Sequence, residues 1–123
     1  MKQKVRYAIS GSHGLIGSKL TEVLKADPIS RELLYKPTEL QEFLKGYDTV
    51  IHCASYGNHR WQTDLQEIFI SNVFATENLL EACRINKVTN FIFMGSSSEY
   101  GDKYCSMSEE MLPETYSMYG CCK

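Results

Sequence analysis

Short apolar runs alternate with stretches whose apolar residues recur every three or four positions. Residues 5–10, Val-Arg-Tyr-Ala-Ile-Ser, predict a buried strand. A glycine-rich turn follows, and a helix is expected over about 15–26 with apolar Leu15, Ile16, Leu20, Val23 and Leu24. Pro28, just past its end, is a normal stop signal. Residues 32–35 suggest a brief strand. Thr38 and Gln41 have the spacing of a capping box for a short helix to about Lys45, with Gly46 where a C-cap would stand. Residues 49–53 predict a second buried strand. Leu65, Ile68, Phe69, Val73, Thr76, Leu80 and Cys83 then make one stripe on a long amphipathic helix over about 64–84. Residues 91–94 predict a third strand, ended by Gly95 and three serines. The polar stretch 99–113 is loop-like, and a helix begins between Tyr116 and Lys123. Strands alternating with helices imply right-handed βαβ units, hence a parallel sheet with helices on both faces.

Composition narrows the function. The 123 residues suit a single domain spanning 1–123, and 43% hydrophobic with 23% charged residues place it among ordinary globular proteins. A net charge of -2 without a basic run makes nucleic acid and anionic membrane unexpected partners. No apolar run approaches the roughly 20 residues of a membrane span, and the N-terminus lacks a signal-peptide core. The five cysteines are odd in number, fit no zinc spacing, and include the adjacent pair Cys121 and Cys122, which is poorly disposed for a mutual disulfide. They are read as reduced thiols in a cytoplasmic protein, with no metal site.

Strand, glycine turn and helix together form an anion-binding arrangement. Gly11 allows the tight turn, Gly14 lets backbone approach a pyrophosphate, and Gly17 lets the helix pack closely. The helix N-terminus adds unpaired N–H groups and partial positive charge. A glycine turn that only connects strand to helix is the plainer alternative; the flanking strand and helix favour the phosphate site.

Gly11-Ser12-His13-Gly14-Leu15-Ile16-Gly17 resembles the T-G-x-x-G-F-I-G loop of the extended short-chain dehydrogenase/reductases, the NAD-dependent epimerase/dehydratase family. Three further segments resemble that family in the same order. Residues 48–55 match its D-x-V-I-H-x-A-A strand end, residues 72–82 its N-V-x-G-T-x-N-L-L-E-A helix, and residues 91–101 its F-I-x-x-S-S-x-x-x-Y-G segment. The resemblance implies a Rossmann-like α/β fold and a cofactor site on Gly11, His13, Gly14, Leu15, Ile16, Gly17, Cys53, Ala54, Ser55, Asn72, Tyr119 and Lys123. It implies NAD as cofactor, NADP not being excluded, a nucleotide-sugar substrate, and a possible homo-oligomer.

Tyr119 and Lys123 form a Y-x-x-x-K, which puts phenol and ammonium on one helical face. An ammonium near a phenol favours the phenolate, so such a tyrosine can take a proton from a sugar hydroxyl while hydride leaves the same carbon. By resemblance Tyr119 is the acid/base, Lys123 also holds the nicotinamide ribose, and Ser96 hydrogen-bonds the reacting oxygen. Ser97 and Ser98 read as turn residues. Glu99 reads as a solvated loop carboxylate in preference to a substrate-side acid, and His52 as a strand residue with a satisfied ring. His13 suits either a phosphate contact or an exposed turn, and His59 and Trp61 either packing or substrate contact.

Two features depart from the family pattern. A ribose-binding acid is expected at the end of the second strand, roughly 20 residues past the loop. That region, taken as residues 33–37, holds no acid but holds Lys36, and a βα segment is expected to be missing before residue 48. The chain also stops at Lys123, so the fold is expected to be truncated, lacking the C-terminal substrate domain. The chain alone is therefore expected to be inactive. Two functions remain: an oxidoreductase of the epimerase/dehydratase type, or a non-catalytic dinucleotide-binding or interaction module derived from it.

Overall fold

A computed structural model describes residues 4–123. In chain order its elements are β1 (Tyr7–Ser10), α1 (Leu15–Leu24), β2 (Asp27–Ile29), a 3-10 turn (Glu32–Tyr35), α2 (Pro37–Phe43) and β3 (Thr49–His52). There follow α3 (Leu65–Phe69), a π-helical turn (Ile70–Phe74), α4 (Ala75–Ile85), β4 (Asn90–Phe93), a second 3-10 turn (Ser97–Tyr100) and α5 (Met118–Cys121). The chain divides into two compact units. The first comprises the residues up to Ala54 together with Ala75–Met94, and the second comprises Ser55–Phe74 together with Gly95–Lys123.

The first unit is built on a parallel sheet of order β2-β1-β3-β4. Its register is level at the carboxyl end, where Ser10 pairs with both Ile29 and His52, and His52 with Phe93. Strand residues alternate between faces. Ala8 and Val50 join Ile29, Leu34, Leu40, Leu44, Leu79 and Ala82 in the larger core. Ile9 and Ile51 point the other way, toward Ala26 and the partly buried Leu20 and Leu24. Burial on both faces is what a parallel sheet requires and explains the continuous apolar runs in β1 and β3.

One polar cluster lies inside this core. His52 is fully buried; its Nδ1 lies 2.5 Å from the Ser10 hydroxyl and its Nε2 lies 2.7 Å from that of Thr76. The Ser10 oxygen also accepts from the Ala54 amide at 3.3 Å. Both ring nitrogens are thus engaged, as a buried imidazole demands.

Four local expectations are corrected. Residues 32–35 form a 3-10 turn, and the second strand is Asp27–Ile29, containing the proline read as a stop signal. Proline is tolerated there because β2 is an edge strand and spares one N–H. Thr38 does not cap α2. The helix starts on Pro37, two residues earlier than a Thr38 cap would place it, with no side-chain cap, because the fixed proline φ suits a first helical position. The long helical stretch buries only part of the predicted stripe, at Ile68 and Cys83. Ile68, Asn72, Ala75, Leu79, Ala82 and Cys83 are buried, whereas Leu65, Phe69, Val73 and Leu80 are exposed. Small and polar residues occupy several of the tight contacts, so hydrophobicity alone located the stripe only in part. In α1, likewise, Leu20 and Leu24 pack inward while Leu15, Ile16 and Val23 are exposed.

The two stripes are separable by mutation. Leu79→Ala should cost about 3 kcal/mol, as for a fully buried leucine, while Leu80→Ala should stay within about 0.5 kcal/mol. Urea denaturation measures both, and similar losses would refute the assignment of Leu79 to the buried face and Leu80 to the exposed one.

Candidate dinucleotide and catalytic sites

The turn from β1 into α1 is shaped by its glycines. Gly11 has φ +74°, and a β-carbon there would lie 2.6 Å from the Ala54 nitrogen. At Gly17 it would lie 2.0 Å from the Gly11 carbonyl oxygen. Gly17 therefore lets α1 pack closely on the turn itself. Gly14 differs from both. Its φ is -76°, and a β-carbon there would meet only the Gly11 oxygen, at 3.4 Å. The protein's own packing does not require glycine at 14; the space above it is left open. Gly14 is also the N-cap of α1, without a side-chain cap and without an acidic residue in the first helical turn. The helix thus presents uncapped N–H groups beside an open position, which fits a pyrophosphate.

His13 is exposed on this turn, its Nδ1 3.4 Å from the Ser12 hydroxyl. Leu15 is 92% exposed and Ile16 52%, so both stand at the start of α1 without packing partners in the core. Cys53 and Ala54 continue from the carboxyl end of β3, with the Cys53 amide donating to the Ser10 carbonyl at 3.1 Å.

The expected position of the ribose acid moves with β2. The strand end is followed by Ser30, Arg31 and Glu32, not by residues 33–37. The strand's own acid, Asp27, lies at its opposite end, accepting from the Tyr47 hydroxyl at 2.7 Å with the Arg6 guanidinium 3.8 Å away. Burial and the Asp27 carboxylate raise the Tyr47 phenol above its ordinary value. Asp27 is a structural partner, and Lys36 pairs with Glu39 at 3.3 Å.

The second unit holds Ser55, Asn72, Ser96, Tyr119 and Lys123. Ser96 caps the 3-10 turn that follows β4. Its hydroxyl accepts from the Ser98 amide at 3.2 Å, and Glu99 in turn accepts from the Ser96 amide at 3.0 Å. Glu99 is therefore half of a capping box, a role distinct from both sequence alternatives. Ser96 retains its own hydroxyl proton for donation. Tyr119 lies in α5, which Ser117 caps by accepting from the Gly120 amide at 3.0 Å, and the backbone turn continues to Lys123. A β-carbon at Gly120 would lie 2.4 Å from the Ser98 carbonyl oxygen, so α5 packs directly on the serine turn. Tyr119 is half-buried, and its hydroxyl has no hydrogen-bond partner among the described residues. The Asn72 amide is committed to the Tyr56 backbone, as acceptor from its N–H at 2.9 Å and donor to its carbonyl at 2.6 Å. Ser55 is exposed at the start of this unit, and His59 stacks on Trp61 with centroids 4.5 Å apart.

Sequence inspection missed Gly57, Gln62 and Gly120. Each acts through a contact that no local pattern announces, and only the turn-type dipeptide at Gly57 and Asn58 hinted at any of them.

A parallel sheet with helices on both faces and an open glycine turn at its carboxyl end define a dinucleotide-binding Rossmann fold. The NAD dependent epimerase/dehydratase family model matches residues 7–123, and the chain belongs to that family. Over 87 residues it is 33% identical to an uncharacterized UDP-glucose epimerase, YtcB, of Bacillus subtilis (strain 168), covering 69% of this chain and 28% of that protein. Among solved structures, MoeE5 in complex with UDP-glucose and NAD superposes with a TM-score of 0.85 at 30% identity, covering 95% of this chain and 45% of that one. UDP-glucuronic acid 4-epimerase from Bacillus cereus in complex with NAD superposes with a TM-score of 0.83 at 28% identity, covering 96% and 48%. The chain thus spans less than half the length of these relatives. No helix of the described residues is long and apolar enough to cross a membrane.

Within the second unit Lys103 pairs with Glu114, and that hydrogen bond and charge hold the Glu114 carboxyl below its ordinary value of 4.5. A depressed carboxyl contributes stability above the ordinary value and loses it as pH falls through the folded value. Wild type should therefore be slightly more stable than Glu114→Gln at neutral pH, the difference shrinking as the pH falls below the ordinary carboxyl value of 4.5. Urea midpoints followed from neutral pH into acid test this, and a pH-independent difference would refute it.

Proposed function

We propose that the complete protein is an NAD(P)-dependent oxidoreductase of the epimerase/dehydratase type that oxidises a hydroxyl of a nucleotide sugar, with Ser96, Tyr119 and Lys123 as its catalytic residues. The observation that carries this reading is the packing of the Tyr119 helix on the Ser96–Ser98 turn at Gly120. Tyr119 takes the proton of the sugar hydroxyl. Ser96, whose oxygen is already used as an acceptor, donates its own proton to the same substrate oxygen. Lys123, four residues on, supplies the ammonium that favours a phenolate. When bound, the dinucleotide supplies the hydride acceptor.

The cofactor is proposed to lie on Gly11, His13, Gly14, Leu15, Ile16, Gly17, Cys53, Ala54, Ser55 and Asn72, with Tyr119 and Lys123 completing the set. The open position at Gly14 and the uncapped start of α1 support this. NAD is taken as cofactor because the solved relatives contain it. Because the acid of β2 is engaged by Tyr47 and Arg31 precedes Glu32 past the strand end, the proposal extends to NADP. UDP-sugars such as those in the relatives' complexes are the substrate class to test first. A cytoplasmic location is proposed with it, and the five free cysteines suit a reducing compartment. So is a homo-oligomeric assembly.

Gly14→Val places a side chain in the open position without strain. NADH affinity by calorimetry should fall at least about tenfold with the thermal midpoint unchanged, whereas equal affinity would place the cofactor elsewhere. In the full-length protein Tyr119→Phe should lower kcat by about a hundredfold or more while cofactor binding persists. Unchanged turnover would remove Tyr119 from the mechanism. Cofactor binding with no turnover of any nucleotide sugar by wild type would leave the non-catalytic module as the function.

A further inference from the structure

We infer that the turn over residues 56–59 is a positioning device for Tyr119, held by the side-chain amides of Asn72 and Gln62, with Gly57 as the surface against which the phenol ring rests. The inference builds on the reading of Tyr119 as acid/base. Asn72 is 4% exposed and lies on the π-helical turn. Its amide satisfies both the N–H and the carbonyl of Tyr56, as a neighbouring strand would. Gln62 completes the hold from the other end of the turn. Its Oε1 accepts from the Gly57 amide at 2.9 Å and from the His59 amide at 3.2 Å, while its backbone N–H donates to the His59 carbonyl at 2.9 Å. Three positions of the turn, Tyr56, Gly57 and His59, are thereby fixed by two side chains.

What this hold presents is Gly57. Its φ is +107°, and a β-carbon there would lie 2.8 Å from Ile68 Cγ1 and 3.2 Å from Tyr119 Cδ2. No other residue type fits between the α3 isoleucine and the ring. The ring therefore has a backbone wall on one side, and that wall moves only if the two amides release it. An acid/base misplaced by about an ångström can lose roughly a hundredfold in rate. Asn72 and Gln62 do not bond to the phenol; they act on it through the turn.

The test uses the full-length protein and a nucleotide sugar that it turns over. Gln62→Leu keeps the size and removes the acceptor; Gln62→Glu keeps an acceptor oxygen. Expected is a fall in kcat of about tenfold or more for Gln62→Leu, with KM and NADH affinity little changed, and most of the rate restored in Gln62→Glu. Trp61, the one tryptophan of these 123 residues, lies beside the turn and stacks on His59, so the part of the emission that Trp61→Phe removes reports whether the turn has shifted. It should change in Gln62→Leu and return in Gln62→Glu. Full kcat in Gln62→Leu overturns the inference, whether or not the emission changes. Equal losses in Gln62→Leu and Gln62→Glu overturn it also. Should Gln62→Leu not fold, Gly57→Ala, which drives a methyl toward the ring, must lower kcat by at least as much or the inference fails. Active Tyr119→Phe defeats the acid/base reading itself; inactive Tyr119→Phe beside fully active Gln62→Leu defeats only the positioning role.

Discussion

The first unit depends on how closely the carboxyl ends of β1 and β3 approach one another. At Gly11 the chain passes so near the backbone of Cys53 and Ala54 that a side chain is impossible, and the positive φ that turns it toward α1 disfavours other L-residues independently. Behind that contact Ser10 links the strands twice over, through its carbonyl to the Cys53 amide and through its hydroxyl to both His52 and the Ala54 amide. The buried histidine completes the link to Thr76 on α4. The shape of this turn is a consequence of strand pairing: once the strands close, the chain must leave as glycine, and Gly17 must follow because the helix returns over the Gly11 carbonyl. Gly14 alone is free of that constraint, which separates the glycine that is open to a ligand from the glycines that serve the fold.

The second unit solves a different problem with similar means. Its proposed catalytic groups stand on short elements, a four-residue helix and a 3-10 turn, neither of which would hold its shape unaided. Side chains supply what length does not. Ser96 and Glu99 cap one element reciprocally, Ser117 caps the other, and the close fit of Gly120 on Ser98 joins them. The capping serine of one turn is the proposed hydrogen-bond donor to substrate, so structural and chemical duties fall on opposite sides of one hydroxyl, its lone pairs and its proton.

Features encoded locally could be read from the residues: β1, β3 and β4 from their apolar runs, the glycine turn from its spacing, the serine turn and the Tyr119 helix from their order. β2 could not, because three residues that include a proline carry no period and its pairing is fixed by β1 alone. Nor could the buried face of the long helical stretch. Its inward positions include Asn72, Ala75 and Ala82, chosen for close approach or for an amide that holds Tyr56, while Phe69 and Leu80 remain outside. Glu99 reads as a loop carboxylate, although Ser96 and Glu99 have the same capping-box spacing as Thr38 and Gln41, a spacing that the structure realises at the serine turn and not at α2. At Gly57 a turn was legible but the requirement for glycine was not, because it comes from Ile68 and Tyr119, outside its own turn.

The brevity of β2 also decides what its end can offer a nucleotide. Parallel pairing in register with β1 sets Asp27 opposite Ala8 and Ile29 opposite Ser10, so the strand's acid lies two residues, or about 7 Å, behind the carboxyl end. There Tyr47 and Arg6 engage it. At the carboxyl end itself come Ser30, whose oxygen already accepts from the Leu33 amide at 3.2 Å, and then Arg31. A carboxylate selects an unmodified ribose because it accepts from the hydroxyls and repels a phosphate. A guanidinium accepts nothing and attracts a phosphate. The acid within the strand is thus not placed to meet a ribose, and the first carboxylate past the strand end is Glu32, next to Arg31.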